Sequence, residues 1–177
     1  MNKIINLITI SRIILAPVIL VYLMFGNYLI CTLLFFVCGL TDYLDGFLAR
    51  KYNAESKSGE ILDPIADKIL IVFVLIGLSV DLQSFLIAIL SSFIIAREIW
   101  VAALRDFSSR NNISDRMKVT FLAKIKTAIQ LLTIGLYLFA LTLSLNLLIV
   151  ISDILLIIAT LITLYTGLHY TIEVFKK

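Results

Sequence analysis

Four aspartates stand in two pairs within residues 42–67, DYLDGFLARKYNAESKSGEILDPIAD: Asp42 with Asp45, and Asp63 with Asp67. Separations of three and four residues put both members of a pair on one face of a helix. Carboxylates about 4 Å apart repel by roughly 4 kcal/mol at an effective dielectric near 20. Such a cluster needs protons or cations, and oxygen-only ligands suit Mg²⁺, Mn²⁺ or Ca²⁺ better than zinc. Gly46 and Ala49 follow Asp45 at helical spacing and leave a strip almost without side chain, against which a flat or bulky ligand can lie beside the metal. These residues point to a divalent-metal site for a phosphate-bearing substrate.

The elements that must position them are membrane helices. The chain has 177 residues, of which 61% are hydrophobic, and a mean hydropathy of +1.07. Apolar runs recur along its length, and about 20 apolar residues span a bilayer as a helix. There is room for six such helices and little else. A barrel would show alternating polarity instead, so the expected fold is a single all-α integral membrane domain over residues 1–177. The helices are expected at 4–25, 28–50, 59–80, 84–104, 120–143 and 146–175. The first reads as a retained helix, since no small-residue cleavage site follows it. Asp42 directly follows one apolar run and Asp67 directly precedes another, so the carboxylates lie at a membrane edge. Pro64 fits the first helical position if the third helix begins at Asp63; if it begins near Gly59, the proline removes a hydrogen bond between the two aspartates. Cys31 and Cys38, seven apart on one helix, cannot pair with each other and read as apolar fillers.

Every lysine and arginine falls at the termini, in the 50–57 and 105–126 segments, or in the adjoining helix ends. The connections near 26, 81 and 145 carry none. By the positive-inside rule both termini and the aspartates face the cytoplasm. Arg97 and Lys124 sit deeper in apolar sequence, where an unpaired charge is costly. With Arg105 and Lys126 they are candidates for binding a phosphate; for Arg97, Asp67 or a ligand is the expected partner, because Glu98 is adjacent and faces elsewhere. Arg12 is a further phosphate-binding candidate, with snorkelling to the headgroups as the alternative. Arg110, Arg116 and Lys118 are expected to serve the charge bias or lipid headgroups. Trp100, Tyr165 and Tyr170 read as interfacial anchors, and Asp153 as a solvated or capping carboxylate.

The pattern D-x2-D-G-x2-A-R-x8-G-x3-D-x3-D, complete here in Asp42, Asp45, Gly46, Ala49, Arg50, Gly59, Asp63 and Asp67, resembles the CDP-alcohol phosphotransferases. AREIWVAALR (96–105), AKIKTAIQ (123–130) and INLITISR (5–12) are further similar to the subgroup that makes phosphatidylglycerophosphate, with Ile5 where proline is usual and Ala123 where glycine is usual. The resemblance implies transfer of the phosphatidyl group of CDP-diacylglycerol to sn-glycerol 3-phosphate, with release of CMP, in a bacterial inner membrane. It implies two Mg²⁺ or Mn²⁺ ions held by Asp42, Asp45, Asp63 and Asp67, with Asp67 as the base for the acceptor hydroxyl. CDP would be bound by Asp45, Gly46, Ala49, Arg50, Gly59 and Lys68. It also implies a homodimer among membrane lipids, and no nucleic-acid partner. A phosphorylated acceptor accounts for the cationic cluster beside an acidic site. The alternatives are a cardiolipin synthase or a relative using another alcohol and, from a different class, a divalent-cation carrier. A carrier would need ligands near the midplane and access from both faces, whereas the four aspartates lie at one edge.

Overall fold

The computed structural model describes residues 2–51, 57–111 and 121–176, with side chains at 7–44, 59, 62–111, 121–123 and 125–176. Among the described residues six α-helices follow one another: α1 (Asn2–Met24), α2 (Tyr28–Lys51), α3 (Lys57–Asp81), α4 (Phe85–Arg110), α5 (Phe121–Leu143) and α6 (Asn146–Phe175). No strand occurs among the described residues. Helices α1, α4, α5 and α6 are long and apolar enough to cross a membrane, and α2 has a shorter apolar stretch, Tyr28–Leu44. The charges that shorten the apolar parts of α2 and α3 include the aspartates themselves. The protein is a multi-pass membrane protein.

Two helix ends differ from expectation. The α3 helix starts at Lys57, so Pro64 lies inside it between the two aspartates. The α4 helix continues through DFSSR to Arg110 and ends on Asn111, whose backbone N–H reaches Phe107. The change to polar sequence at Arg105 marks where the helix leaves the apolar zone; a helix satisfies its own backbone on either side of that boundary.

The connections after α1, α3 and α5 share one geometry. Gly26, Gln83 and Ser144 adopt positive φ and donate to the carbonyl three residues back, while Asn27, Ser84 and Leu145 donate to the carbonyl five residues back. This double bond closes a helix through a left-handed residue. Ser84 then caps α4, its hydroxyl accepting from the Ile87 N–H.

Helix α1 packs on α2 and α3, and α6 packs on α4 and α5; α2 with α5, and α3 with α4 and α5, close the seam between these groups. Near these three connections the interior is apolar, with Leu23, Leu75, Leu78, Tyr137 and Leu138 fully buried. The exterior is apolar too: Leu7, Phe36 and Leu147 are each more than 60% exposed. In lipid, burial of apolar surface does not drive helices together, so close approach and interhelical hydrogen bonds must. Gly77 on α3 supplies one approach, since a Cβ there would stand 2.8 Å from a terminal methyl of Leu23 on α1. Helix α6 supplies the bonds and small residues, burying a stripe of Ser152, Ala159, Thr160, Thr163, Thr166 and Gly167. Gln130 of α5 donates to Thr163 at 2.9 Å. At the end of the molecule nearest these three connections, the buried Tyr137 donates to Asp153 at 2.5 Å, so that carboxylate is an interhelical acceptor rather than a solvated or capping group.

Candidate active site

Three of the predicted aspartates meet at one cation. Arg12 of α1, 1% exposed, donates through Nη1 to Asp42 Oδ1 of α2 and, at 2.9 Å, to Asp67 Oδ1 of α3; its Nη2 lies 3.6 Å from Asp63 Oδ1. Thr9, one turn before Arg12, donates to Asp63 at 2.8 Å. The arginine expected to bind a phosphate or to snorkel thus lies inward, where three carboxylates offset its burial. The side chain of Asp45 is outside the described residues, as are those of Gly46, Ala49, Arg50 and Lys124; residues 45–50 continue α2. Gly59 is buried near the start of α3.

With the guanidinium among them, no three acidic, histidine or cysteine side chains stand together as a ligand group among the described residues. The donor chemistry nevertheless fits a hard divalent ion: several carboxylate oxygens, contributed by neighbouring helices, share a single positive charge.

The second cluster gathers around Glu98 of α4. Its carboxylate accepts from Arg97 Nη1 at 2.9 Å and from Lys126 Nζ of α5, and lies 3.7 Å from Lys68 Nζ of α3. Arg97 was expected to look past Glu98 to Asp67 or a ligand. Its side chain is long enough to double back to its neighbour, and Nη2 donates to Thr166 of α6 at 2.8 Å. Tyr170 lies beneath the guanidinium at 5.9 Å, buried rather than anchored at an interface. Gly167 makes room for this arrangement: a Cβ there would stand 2.9 Å from Arg97 Cγ. Trp100 and Tyr165 are exposed, as interfacial anchors would be.

A cavity of about 510 Å³ joins the two clusters. Asp63 and Asp67 line it with Lys68 and Glu98, as do Arg97, Lys126 and the exposed Arg105. An acidic rim and a basic wall in one space suit a cation and an anionic substrate held side by side. Sequence reading missed Thr9, Glu98, Thr166 and Tyr170. The signal for Glu98 was present, since a carboxylate in apolar sequence needs a cation as much as Arg97 needs an anion.

The family model described as CDP-alcohol phosphatidyltransferase matches residues 3–167. A Blochmanniella floridana protein named CDP-diacylglycerol–glycerol-3-phosphate 3-phosphatidyltransferase is 37% identical over 171 residues, covering 94% of this chain and 88% of its own. Proteins of the same name from Haemophilus influenzae and Rickettsia felis are each 36% identical. They cover 92% and 93% of this chain, and 88% and 91% of their own lengths.

Proposed function

This chain belongs to the CDP-alcohol phosphatidyltransferase family, and on that premise we propose that it transfers the phosphatidyl group of CDP-diacylglycerol to sn-glycerol 3-phosphate. The acceptor hydroxyl oxygen forms a bond to the lipid phosphorus, the bond from that phosphorus to the CMP oxygen breaks, and the hydroxyl gives up its proton. The products are phosphatidylglycerophosphate and CMP. The observation that carries this reading is the single cavity in which Asp63 and Asp67 face a wall containing Arg97, Lys126 and Arg105. An uncharged alcohol would not require that wall. A divalent-cation carrier would require a polar route through the far half, where the buried residues described are mostly leucine, valine and isoleucine and the Tyr137–Asp153 pair is an isolated polar contact.

Asp67 is the base. It lines the cavity, is one-third exposed, and is oriented by the bond from Arg12. Arg97, Lys126 and Arg105 hold the acceptor's phosphate, and Lys68, next to Asp67 on the same cavity, supports the diphosphate. Asp42, Asp45, Asp63 and Asp67 would hold Mg²⁺ or Mn²⁺, which when bound offsets the charge of the diphosphate and of the departing oxygen. The distribution of lysine and arginine supports six crossings, with both termini and the cavity at the cytoplasmic side of a bacterial inner membrane. A homodimer is the assembly the family resemblance supports.

The deciding experiment is product identity. Purified protein receives CDP-diacylglycerol, Mg²⁺ and one labelled acceptor at a time, and the lipids are resolved. Phosphatidylglycerophosphate with stoichiometric CMP from glycerol 3-phosphate is the expected result. Product from phosphatidylglycerol or another alcohol would replace the acceptor, and absence of CMP with every acceptor would overturn the reaction. EDTA is expected to abolish CMP release and Mg²⁺ or Mn²⁺ to restore it; full activity under chelation would remove the metal from the reading.

A further inference from the structure

Glu98 has no part in the chemistry above, yet cations from three helices converge on it: Lys68 from α3, Arg97 from its own α4 and Lys126 from α5. Both Arg97 and Lys126 are 6% exposed. Two like charges this poorly solvated, with the half-exposed Lys68 drawn to the same carboxylate, repel one another strongly unless an anion lies between them. Arg97 is further fixed by Thr166, Tyr170 and the close approach of Gly167, but the two lysines end flexible stems, and the ion pair with Glu98 is what draws each toward the wall.

The geometry points to Glu98 as the positioning residue of the acceptor site. It gathers Arg97 and Lys126 into the wall that Arg105 completes, and holds Lys68 at the side next to Asp67, so that the wall stays ordered and cationic. A cationic wall favours the dianion of a phosphomonoester. It attracts a phosphodiester monoanion less and an uncharged polyol least, so Glu98 orders the groups that read the acceptor's charge. This inference rests on the reaction proposed above.

The test uses the full chain in detergent or liposomes. In Glu98→Gln the KM for glycerol 3-phosphate is expected to rise at least tenfold, while the KM for CDP-diacylglycerol changes less than threefold. Glu98→Asp, which keeps the charge, should recover part of that loss. In the wild type, methyl phosphate dianion should inhibit competitively against the acceptor at least tenfold more strongly than dimethyl phosphate, and in Glu98→Gln, where the cations are no longer held in place, methyl phosphate should inhibit at least tenfold more weakly than in the wild type. Parallel decline of kcat and both KM values, with Glu98→Asp no better than Glu98→Gln, would make Glu98 a merely structural residue and overturn the inference. Equal inhibition of the wild type by the two phosphates would overturn it even if Glu98→Gln fails to fold. A wild type that ignores glycerol 3-phosphate brings down the reaction itself, and that outcome is visible before any variant is made.

Discussion

Asp67 stands between the two charge clusters, accepting from Arg12 while its neighbour Lys68 faces Glu98. Asp67→Asn keeps the shape and one oxygen for Arg12 but cannot take a proton. Turnover is expected to fall by about 10²–10⁴, the usual worth of a positioned base, with CDP-diacylglycerol affinity within a few-fold of wild type. CMP release and equilibrium binding measure the two parts; wild-type turnover would remove Asp67 as base. Arg12→Met leaves Asp42, Asp63 and Asp67 without their shared guanidinium. In EDTA this should cost on the order of 1–3 kcal/mol, seen as a lower thermal midpoint, and Mg²⁺ should raise the variant's midpoint more than the wild type's. Equal midpoints in EDTA would mean that the arginine does not balance the cluster. The aspartate pairs were legible because their spacing is local and periodic. The target of Arg12 was not, because its partners lie 30 to 55 residues away. Nor was the pairing of Arg97 with Glu98: successive residues diverge around a helix, and only the reach of a long side chain, with cations arriving from α3 and α5, reverses that.

At the scale of elements, α6 carries no charge across its buried stripe and still organises the basic wall. Its threonines and small residues recur every three or four positions from Ala159 to Gly167, with Ser152 two turns earlier, a pattern visible in sequence once one asks how helices bind each other in lipid. Gly167→Ala should therefore be damaging, by about 1–3 kcal/mol, because the new methyl meets the middle of a pinned arginine. Gly77→Ala should be nearly neutral, since the atoms it meets are leucine methyls free to turn aside and alanine regains about 1 kcal/mol of helix propensity. Melting of both variants, with acceptor KM for the first, checks the contrast. If the order is reversed, the close approach at Arg97 is not what requires glycine. The three turns were legible unevenly: Gly26 announces a left-handed residue, whereas Gln83 and Ser144 reach the same conformation with nothing in their identity to declare it.

At the scale of the molecule, helix content and helix order follow from hydropathy alone, while the burial pattern does not, because a lipid-facing leucine and a core leucine read alike. The orientation can be tested directly. Cys31 and Cys38 are fully buried, so cysteines introduced at exposed positions report sidedness with little background. In intact cells a membrane-impermeant maleimide should label Asn27→Cys and Asn146→Cys, and should reach Arg110→Cys and Lys176→Cys only after permeabilisation. The opposite pattern would invert the topology.

The apolar interior around Leu23, Leu75, Leu78 and Leu138 seals the half of the molecule opposite the cavity. A lipid substrate that enters with its headgroup at the charged end meets, among the described residues, only isolated polar contacts such as Tyr137–Asp153 and no continuous polar track on which to carry that headgroup through. On the reaction proposed above, donor and product would remain in one leaflet, and every turnover would add a new anionic lipid to the same side of the bilayer. Redistribution to the other leaflet, and the relief of the area imbalance that such synthesis creates, would then be the work of a separate lipid-translocating activity.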